Sequence, residues 1–268
     1  MVTFPGCKIN LGLHILRRRP DGYHDISTCF MPVPWSDILE VLPSESFAFS
    51  LSGLAIPGSV DENLCVKAWQ LLSADFRLPG IKGHLHKIVP MGAGLGGGSA
   101  DAASMLQLVN RIFALNLSAE RLAAYALRLG SDCSYFLLEK PAIGQGRGEV
   151  LEPIPLSLKG YFLLIVVPPV HISTAEAYAG VTPKTPGEDL QTILKRPLKE
   201  WKNKLVNDFE SSVFGKFPEV AGIKEKLYGH GAVYSSLSGS GSAVYGLFSQ
   251  EVSFEELFPS GIGWSGWL

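Results

Sequence analysis

The residues from Pro90 to Ala100 have the composition of a phosphate-binding loop. Five glycines occupy the seven positions from 92 to 98, and a helical pattern begins directly after them. Glycine tolerates positive φ and leaves backbone N–H groups open to an anion, while the following helix contributes unpaired N–H groups and the positive end of its dipole. The pattern predicts that a phosphate is held by Pro90, Met91, Gly92, Ala93, Gly94, Leu95, Gly96, Gly97, Gly98, Ser99 and Ala100.

The elements on either side of this loop favour a binding turn over a flexible hinge. A mixed apolar segment at 81–89 predicts a strand before the loop, and apolar residues at helical spacing, Leu106, Val109 and Ile112, predict a helix after it. Asp101 in the expected first helical turn suits the dipole. A second helix follows, with Ser118 as its N-cap and Gly130 as its stop.

Other nucleotide-binding loops do not fit this context. The glycines at 92, 94 and 97 match the GxGxxG dinucleotide fingerprint, but a dinucleotide-binding unit needs a strand, not a second helix, after the first helix. The sequence contains no GxxxxGK[ST] loop and neither the His-Arg-Asp nor the Asp-Phe-Gly motif of protein kinases. A dinucleotide-dependent oxidoreductase is therefore a distant alternative.

Three further segments carry polar side chains that could do chemistry, although each segment also has an ordinary structural interpretation. Lys8 and Asn10 lie on one face of an alternating strand pattern at 8–16, where a lysine often protects an exposed strand edge. Tyr23 and His24 follow a Pro-Asp-Gly turn, which is typical of a hairpin corner. Asp132 follows the helix stop at Gly130, where an aspartate is most often an N-cap.

The composition predicts a globular protein without a nucleic-acid or membrane partner. The 268 residues are 46% hydrophobic, carry a formal net charge of -2 and include no stretch with the pattern of a signal peptide or a membrane span. Four widely separated cysteines form no metal-binding or CxxC pattern, so we expect free thiols and a cytoplasmic protein.

The remaining patterns predict mixed helices and strands. Helices are expected at 62–73, with Asp61 as N-cap, at 198–214 and at 218–228, and a capping box at Ser173 starts a short helix. Segment 180–197 is expected to be an exposed loop. Strands are expected at 38–41, 47–51, 161–167, 232–237 and 243–248, and a glycine-rich hairpin is expected at 144–149.

The loop also carries a family resemblance. Pro90, the run Gly94-Leu95-Gly96 and Ser99 resemble the phosphate-loop motif of the GHMP kinases, which are small-molecule kinases. The Lys8-x-Asn10 pair resembles the first motif of this family, Leu-Gly-Ser-Asp132 resembles its Leu-Gly-x-Asp segment, and the Ser-Gly-Ser-Gly-Ser run at 238–242 resembles its third motif, a glycine turn expected to close against nucleotide and substrate. The motifs appear in the family order over nearly the whole chain.

The resemblance implies a fold and a division of the chain. It implies an α+β, two-domain fold, with an N-terminal domain of the ribosomal-S5-like domain 2 type at 1–154. The second domain, at 155–268, would be a ferredoxin-like α/β sandwich. The active site is expected in the interdomain cleft.

The resemblance also implies roles for individual residues. Asp132 is expected to be the base that accepts a hydroxyl proton, and Lys8 to stand beside the reacting hydroxyl and keep Asp132 ionised. ATP and Mg²⁺ are the implied cofactors. Ser99 is the expected contact to magnesium or phosphate, and Asn63 and Lys87 match positions near adenine. Many family members have a serine where this chain has Ala100.

One branch of the family frames a cytosine ring with a segment like Gly22-Tyr23-His24. The resemblance therefore implies a small-molecule substrate with a cytidine diphosphate group, contacted by Asn10, Tyr23, His24 and Tyr178. A kinase for another small alcohol and a catalytically silent nucleotide-binding regulator are the alternatives, although the presence of both Lys8 and Asp132 speaks against the regulator. We expect a monomer or a weak homodimer.

Overall fold

The computed structural model describes residues 1–268, which form twelve strands and eight α-helices. In chain order the strands are β1 (Val2–Thr3), β2 (Gly6–Arg18), β3 (His24–Ser36), β4 (Ile38–Pro43), β5 (Ala48–Gly53), β6 (Ile81–Lys87), β7 (Ala142–Gly146), β8 (Val150–Pro153), β9 (Phe162–Val167), β10 (Tyr234–Leu237), β11 (Val244–Phe248) and β12 (Ile262–Trp267). The α-helices are α1 (Leu64–Phe76), α2 (Gly97–Ile112), α3 (Ala119–Leu129), α4 (Thr174–Ala179), α5 (Leu190–Leu194), α6 (Glu210–Lys216), α7 (Pro218–Gly229) and α8 (Phe254–Leu257). Short 3₁₀ helices cover Val60–Glu62, Ser131–Leu137 and Leu198–Glu200.

The chain divides into two compact units that interleave along the sequence. Unit 1 comprises residues 1–8, 32–91 and 96–139, and unit 2 comprises residues 9–31, 92–95 and 140–268. The two long strands β2 and β3 contribute residues to both units. The two units therefore cannot be separated by dividing the sequence at one position. The linear division at 154/155 remains a prediction.

Unit 1 is a four-stranded sheet covered by helices. The strand order is β1-β4-β6-β5, antiparallel except for the parallel pair β5 and β6. Alternate residues of β4 and β6, among them Leu39, Val41 and Leu85, enter a core formed with α1, α2 and α3. The helices supply apolar side chains at helical spacing to the same core, as expected for amphipathic helices.

Unit 2 contains the sheet β10-β11-β9-β12, in which all neighbours are antiparallel. Strand β9 is central, since it pairs with β11 on one side and β12 on the other, and all of its residues are buried. Its alternate residues Phe162, Leu164 and Val166 join side chains of α4, α6, α7 and α8 in a second core. A second four-stranded sheet has the order β2-β3-β7-β8, and β7 and β8 form the predicted glycine-rich hairpin.

Local sequence signals placed several elements correctly. Helix α3 begins after Ser118, whose side chain accepts a hydrogen bond from the Arg121 backbone N–H, and it ends at Gly130. The capping box of Ser173 and Glu176 is also formed. The Trp-containing C-terminal segment forms the edge strand β12.

Two predictions about helices were wrong. The N-cap of α1 is Asn63 and not Asp61, because residues 60–62 form a separate 3₁₀ turn and the Asn63 side chain accepts the Cys65 N–H. Asp101 does not lie in the first turn of α2; its carboxylate points inward and pairs with Lys87.

Two predictions about the segment from 180 to 214 were also wrong. Residues 190–194 form helix α5, capped by Asp189, because Leu190, Ile193 and Leu194 are buried. The expected helix at 198–214 is interrupted, since the Leu13 N–H donates to Val206 O and the Asp208 N–H donates to Leu13 O. This pairing holds the intervening chain in an extended form.

All four cysteines are free, as predicted, and the structure shows that all four are buried. None of the helices is both long enough and apolar enough to cross a lipid bilayer.

Candidate active site

The glycine loop has a backbone that requires glycine. Gly92, Gly94 and Gly96 have φ values of +68°, +78° and +73°, in the left-handed region that other residues avoid. A Cβ atom on Gly94 would lie 2.0 Å from the Ser238 carbonyl oxygen, so the close approach of two backbones also excludes a side chain. The shape of the loop therefore requires glycine at these positions.

Helix α2 starts at the end of this loop with no side chain covering its first N–H groups. Gly96 is the N-cap residue and has no side chain to accept them. The first four N–H groups of a helix lack intrahelical partners, and together with the dipole they favour an anion at this end. The geometry matches the phosphate-binding role predicted for Gly96, Gly97, Gly98 and Ser99.

Lys8 and Asp132 lie close together in unit 1, as the resemblance to the family motifs led us to expect. The Lys8 Nζ atom lies 3.8 Å from Asp132 Oδ2. Only 3% of the Lys8 side chain is exposed, whereas 35% of the Asp132 side chain is exposed. The lysine charge is thus held inside while the carboxylate is accessible to a ligand.

Burial and the Asp132 carboxylate shift the pKa of Lys8 in opposite directions. Burial lowers the pKa of the Lys8 ammonium from its ordinary value, and the nearby Asp132 carboxylate raises it, with burial the larger effect. Strand β2 positions Lys8, and the 3₁₀ helix after Gly130 positions Asp132. A Cβ atom on Gly96 would lie 3.3 Å from Lys8 Cε, so the loop and the lysine are neighbours.

Ser99 and Ala100 follow on the first turns of α2 and face different surroundings. The half-buried Ser99 hydroxyl interacts with the Cys133 thiol, one residue from Asp132. Burial raises the pKa of that thiol to about 11, so it stays protonated. Ala100 is buried and lines an open pocket beside Tyr135.

The Lys87 side chain is enclosed within unit 1. Its ammonium lies 2.5 Å from Asp37 Oδ2 and 2.7 Å from Asp101 Oδ2, and all three side chains are buried. Asp37 also accepts hydrogen bonds from the backbone N–H groups of Ile88 and Val89. The ammonium thus supports the strand that leads into the loop. The Lys87 carbonyl oxygen also accepts the Leu54 N–H at 2.8 Å, and the adenine contact of Lys87 stays a prediction.

Asn63 combines its predicted ligand position with a structural task. Its Oδ1 atom accepts the Cys65 N–H at 2.9 Å and caps α1. This bond uses the amide oxygen and leaves the amide NH₂ group for a ligand.

In unit 2 the residues predicted to bind substrate form two groups. His24 and Tyr178 stack with ring centroids 4.4 Å apart at an interplanar angle of 14°, and the neighbouring Tyr23 is 55% exposed. Burial, followed by the charge of Arg18, lowers the pKa of His24, so the ring tends to be neutral near pH 7. The group offers flat, uncharged faces to a heterocycle.

Asn10 is the centre of the other group. It is buried; its side-chain amide donates to Thr28 Oγ1 at 2.9 Å, and its backbone N–H donates to Ser238 Oγ. Ser238 Oγ in turn donates to the Gly94 carbonyl at 2.9 Å. The turn at 238–242 is thereby bonded to both the glycine loop and Asn10.

Sequence reasoning identified this turn but missed the individual role of Ser238 and the partners of Lys87. Ser238 is one of three serines in a repetitive turn, and nothing local distinguishes it. Asp37 is a single aspartate between two strands, where a turn residue is the ordinary interpretation.

No group of three or more His, Cys, Asp or Glu side chains could hold a metal ion by itself. Mg²⁺ in kinases is bound through one or two protein oxygens together with substrate phosphates and water. The Ser99 hydroxyl, on the first turn of α2, fits that kind of site.

The comparison with known proteins agrees with this arrangement. Residues 63–140 match the GHMP kinases N terminal domain, and residues 190–258 match the GHMP kinases C terminal domain. The chain belongs to the GHMP kinase family and is a small-molecule kinase.

Within this family, the chain is similar to proteins named 4-diphosphocytidyl-2-C-methyl-D-erythritol kinase. The protein of that name from Bacteroides thetaiotaomicron is 50% identical over 260 residues, covering 96% of this chain and 95% of the relative. The protein from Parabacteroides distasonis is 45% identical and covers 100% of both chains. A crystal structure of 4-(cytidine 5'-diphospho)-2C-methyl-D-erythritol kinase has a TM-score of 0.84 and 32% identity, covering 99% of this chain and 98% of that one. The predicted two-domain α+β GHMP kinase fold is thereby confirmed.

Proposed function

We propose that the chain transfers a phosphoryl group from ATP to the 2-hydroxyl of 4-diphosphocytidyl-2-C-methyl-D-erythritol, giving ADP and the 2-phosphate. This reaction belongs to the non-mevalonate pathway to isoprenoid precursors. The observation that carries the proposal is the similarity to kinases of this name over nearly the full length of both chains, in a chain that also pairs Lys8 with Asp132 beside the glycine loop.

The loop and helix α2 bind the phosphates of ATP. Phosphoryl transfer depends mainly on positioning and on stabilising negative charge, and the backbone N–H groups of Gly94 to Ser99 supply both. The Asn63 amide is the proposed contact on the adenine side, and Lys87 acts there by holding the strand that leads into the loop. A bound Mg²⁺, held by Ser99 together with the phosphates, would neutralise charge on the transferring group.

Asp132 acts as the base. Its exposed carboxylate accepts the proton of the substrate hydroxyl as that oxygen attacks the γ-phosphorus. The Lys8 ammonium keeps Asp132 ionised by charge attraction and stabilises the negative charge on the transferring group.

The cytidine part of the substrate is proposed to bind in unit 2. Tyr23, His24 and Tyr178 provide aromatic faces for the base, and neutral His24 can donate or accept a hydrogen bond at its edge. Asn10, fixed by Thr28 and Ser238, contacts the substrate from β2.

The test is ADP release from ATP and Mg²⁺ in the presence of the diphosphocytidyl substrate. We expect turnover by the wild-type protein and a fall in kcat of about 10²–10⁴-fold in Asp132→Asn. Glu219→Gln, an equivalent change of an exposed carboxylate on α7, serves as the matched control and should retain wild-type turnover.

Three outcomes are informative. Loss of turnover in a folded D132N protein that still binds ATP supports the assigned base. Wild-type turnover in D132N contradicts that assignment but not the substrate. Absence of wild-type turnover, with ATP bound, contradicts the substrate and points to another alcohol or a silent regulator.

A further inference from the structure

A cationic side chain lies on one of the aromatic residues proposed to bind the cytosine base. The guanidinium carbon of Arg147 is 4.8 Å from the centroid of the Tyr23 ring. The family motifs did not assign any role to Arg147, which lies in the turn between β7 and β8. Both residues belong to unit 2.

The pairing of strands explains why this turn reaches Tyr23. Gly146, the last residue of β7, pairs with Ile26 near the start of β3, so the turn that follows lies beside the segment preceding β3. Gly146 and Gly148, on either side of Arg147, have φ values of +68° and +109°. These left-handed positions give a tight turn that projects the single long side chain between them.

The hydrogen-bond donors of this guanidinium remain available. Its ion pair with Glu149 has Nε 3.8 Å from Oε1, which is beyond hydrogen-bond distance, and the Arg147 side chain donates no other hydrogen bond. The side chain is 32% exposed. Glu149 accepts the Arg147 backbone N–H at 2.5 Å, so the carboxylate holds the turn and leaves the five side-chain N–H groups open.

The contact with the ring limits the orientation of these donors. A guanidinium over an aromatic face is held by cation–π attraction, and its planar fork then presents N–H groups beside the ring edge. Such a fork matches the paired oxygens of a phosphate group. The residues that supply flat faces for the base, Tyr23, His24 and Tyr178, carry no permanent charge to match the diphosphate of the proposed substrate.

We propose that Arg147 binds the diphosphate group of the substrate while it rests on Tyr23. This inference rests on the proposed function, because it assigns a contact to one part of that substrate. Arg147 thereby determines specificity for a nucleoside diphosphate over the bare nucleoside. The Tyr23 ring and the Arg147 guanidinium together recognise the base and the charge of one ligand.

The test is a calorimetric titration of CDP and of cytidine into the wild-type protein and into Arg147→Gln. The glutamine variant should bind CDP about tenfold or more weakly, because charge-assisted hydrogen bonds to phosphate are lost. Binding of cytidine should change by less than about twofold, since it has no phosphate. Arg147→Lys should fall between wild type and R147Q, because it keeps the charge but not the fork.

Arg128→Gln is the matched control, since Arg128 is 55% exposed and also lies over a tyrosine ring, 5.7 Å from the centroid of Tyr125 on α3. We expect R128Q to bind CDP as the wild type does. Equal weakening of CDP and cytidine in R147Q would overturn the inference, because Arg147 would then only position Tyr23. Equal loss in R128Q and R147Q would also overturn it, since the effect would be that of net charge.

The test separates this inference from the proposed function. If the wild-type protein binds CDP and R147Q binds it equally well, only the role of Arg147 is overturned. Failure of the wild-type protein to bind CDP, together with no turnover of the diphosphocytidyl substrate, overturns the proposed function.

Discussion

Two buried lysines near the glycine loop, Lys8 and Lys87, have different partners and different tasks. Lys8 faces one accessible carboxylate, Asp132, and burial dominates its pKa, which is lowered. Lys87 lies between two buried carboxylates; burial lowers its pKa, but the combined attraction of Asp101 and Asp37 outweighs burial and raises it. The first arrangement is suited to a reaction, and the second keeps a strand and a helix together.

The cluster of Lys87, Asp37 and Asp101 predicts a dependence of stability on pH. Burial raises the pKa of Asp101 to about 7, against the attraction of Lys87, from an ordinary value of 3.8. A group with a raised folded-state pKa binds its proton more tightly in the folded protein. Its contribution is therefore fully present below pH 3.8 and is lost as the pH rises through about 7.

Asp101→Asn should remove this dependence. The urea midpoint of the wild type is expected to fall between about pH 5 and about pH 8, and that of the variant to fall less over the same range. Asp37→Asn is the comparison, because Asp37 also accepts two backbone N–H groups, and its loss should cost about 3–5 kcal/mol at every pH. An identical pH slope in wild type and D101N would contradict the assignment.

At the scale of elements, the glycine loop depends on two different properties of its glycines. Gly94 has a positive φ and no space for a Cβ atom. Gly98 has neither restriction, because a Cβ atom added there would lie 3.7 Å from its nearest neighbour, an atom of the Met91 side chain. Gly98 lies inside α2, where alanine is the better helix former.

Gly94→Ala should therefore lower the free energy of unfolding by about 1–3 kcal/mol, because a strained φ is combined with a backbone clash. Gly98→Ala should leave stability unchanged or raise it by up to about 1 kcal/mol. Both are measured by urea unfolding at one pH. Equal stability of the two variants would show that the loop rearranges to accept a side chain.

The start of α1 allows the structural and the ligand role of Asn63 to be separated. Asn63→Asp keeps the oxygen that caps the helix but removes the amide NH₂, whereas Asn63→Ala removes both. N63A should lose about 1 kcal/mol of stability, and N63D should keep it. If the amide contacts adenine, both should raise KM for ATP, as measured by steady-state kinetics. An unchanged KM in N63D would leave Asn63 with the capping role alone.

The elements that sequence predicts well are those set by local signals. Ser118 and Gly130 define α3, and the glycine run defines the loop, because capping and positive φ depend on residues close in the chain. The extended segment at 206–208 could not be predicted, because its partner, Leu13, lies far away in the sequence.

The same distinction holds for the site. From local patterns alone, Lys8 is interpreted as a lysine on an edge strand and Asp132 as a helix N-cap. Only the family motifs predict that the two residues belong to one site. The enclosure of Lys87 by Asp37 was not predictable, because the two residues are separated by 50 positions and neither carries a distinctive local pattern.

For the molecule as a whole, the four cysteines report on the integrity of both units. Cys7, Cys65 and Cys133 are in unit 1 and Cys29 is in unit 2, and all are buried. Burial raises the pKa of Cys7 and Cys29 to about 12, that of Cys133 to about 11 and that of Cys65 well above its ordinary value.

The native protein should therefore react with a thiol reagent at about pH 8 far more slowly than free cysteine does, because both access and the thiolate are lacking. All four thiols should become reactive in urea. The number of reactive thiols per chain is measured from the absorbance that a chromogenic thiol reagent releases. A thiol that reacts in the native protein at the rate of free cysteine would identify a unit that opens locally.

The interleaving of the two units bears on how the chain folds as it leaves the ribosome. Every residue of unit 1 has been synthesised once Glu139 is added, whereas unit 2 still lacks all six strands from β7 to β12 at that point. Residues 9–31 emerge early but belong to the unit that is finished last. Nascent chains stalled beyond residue 139 should therefore contain a folded unit 1. In these chains residues 9–31 should still lack the unit 2 strands that are translated later.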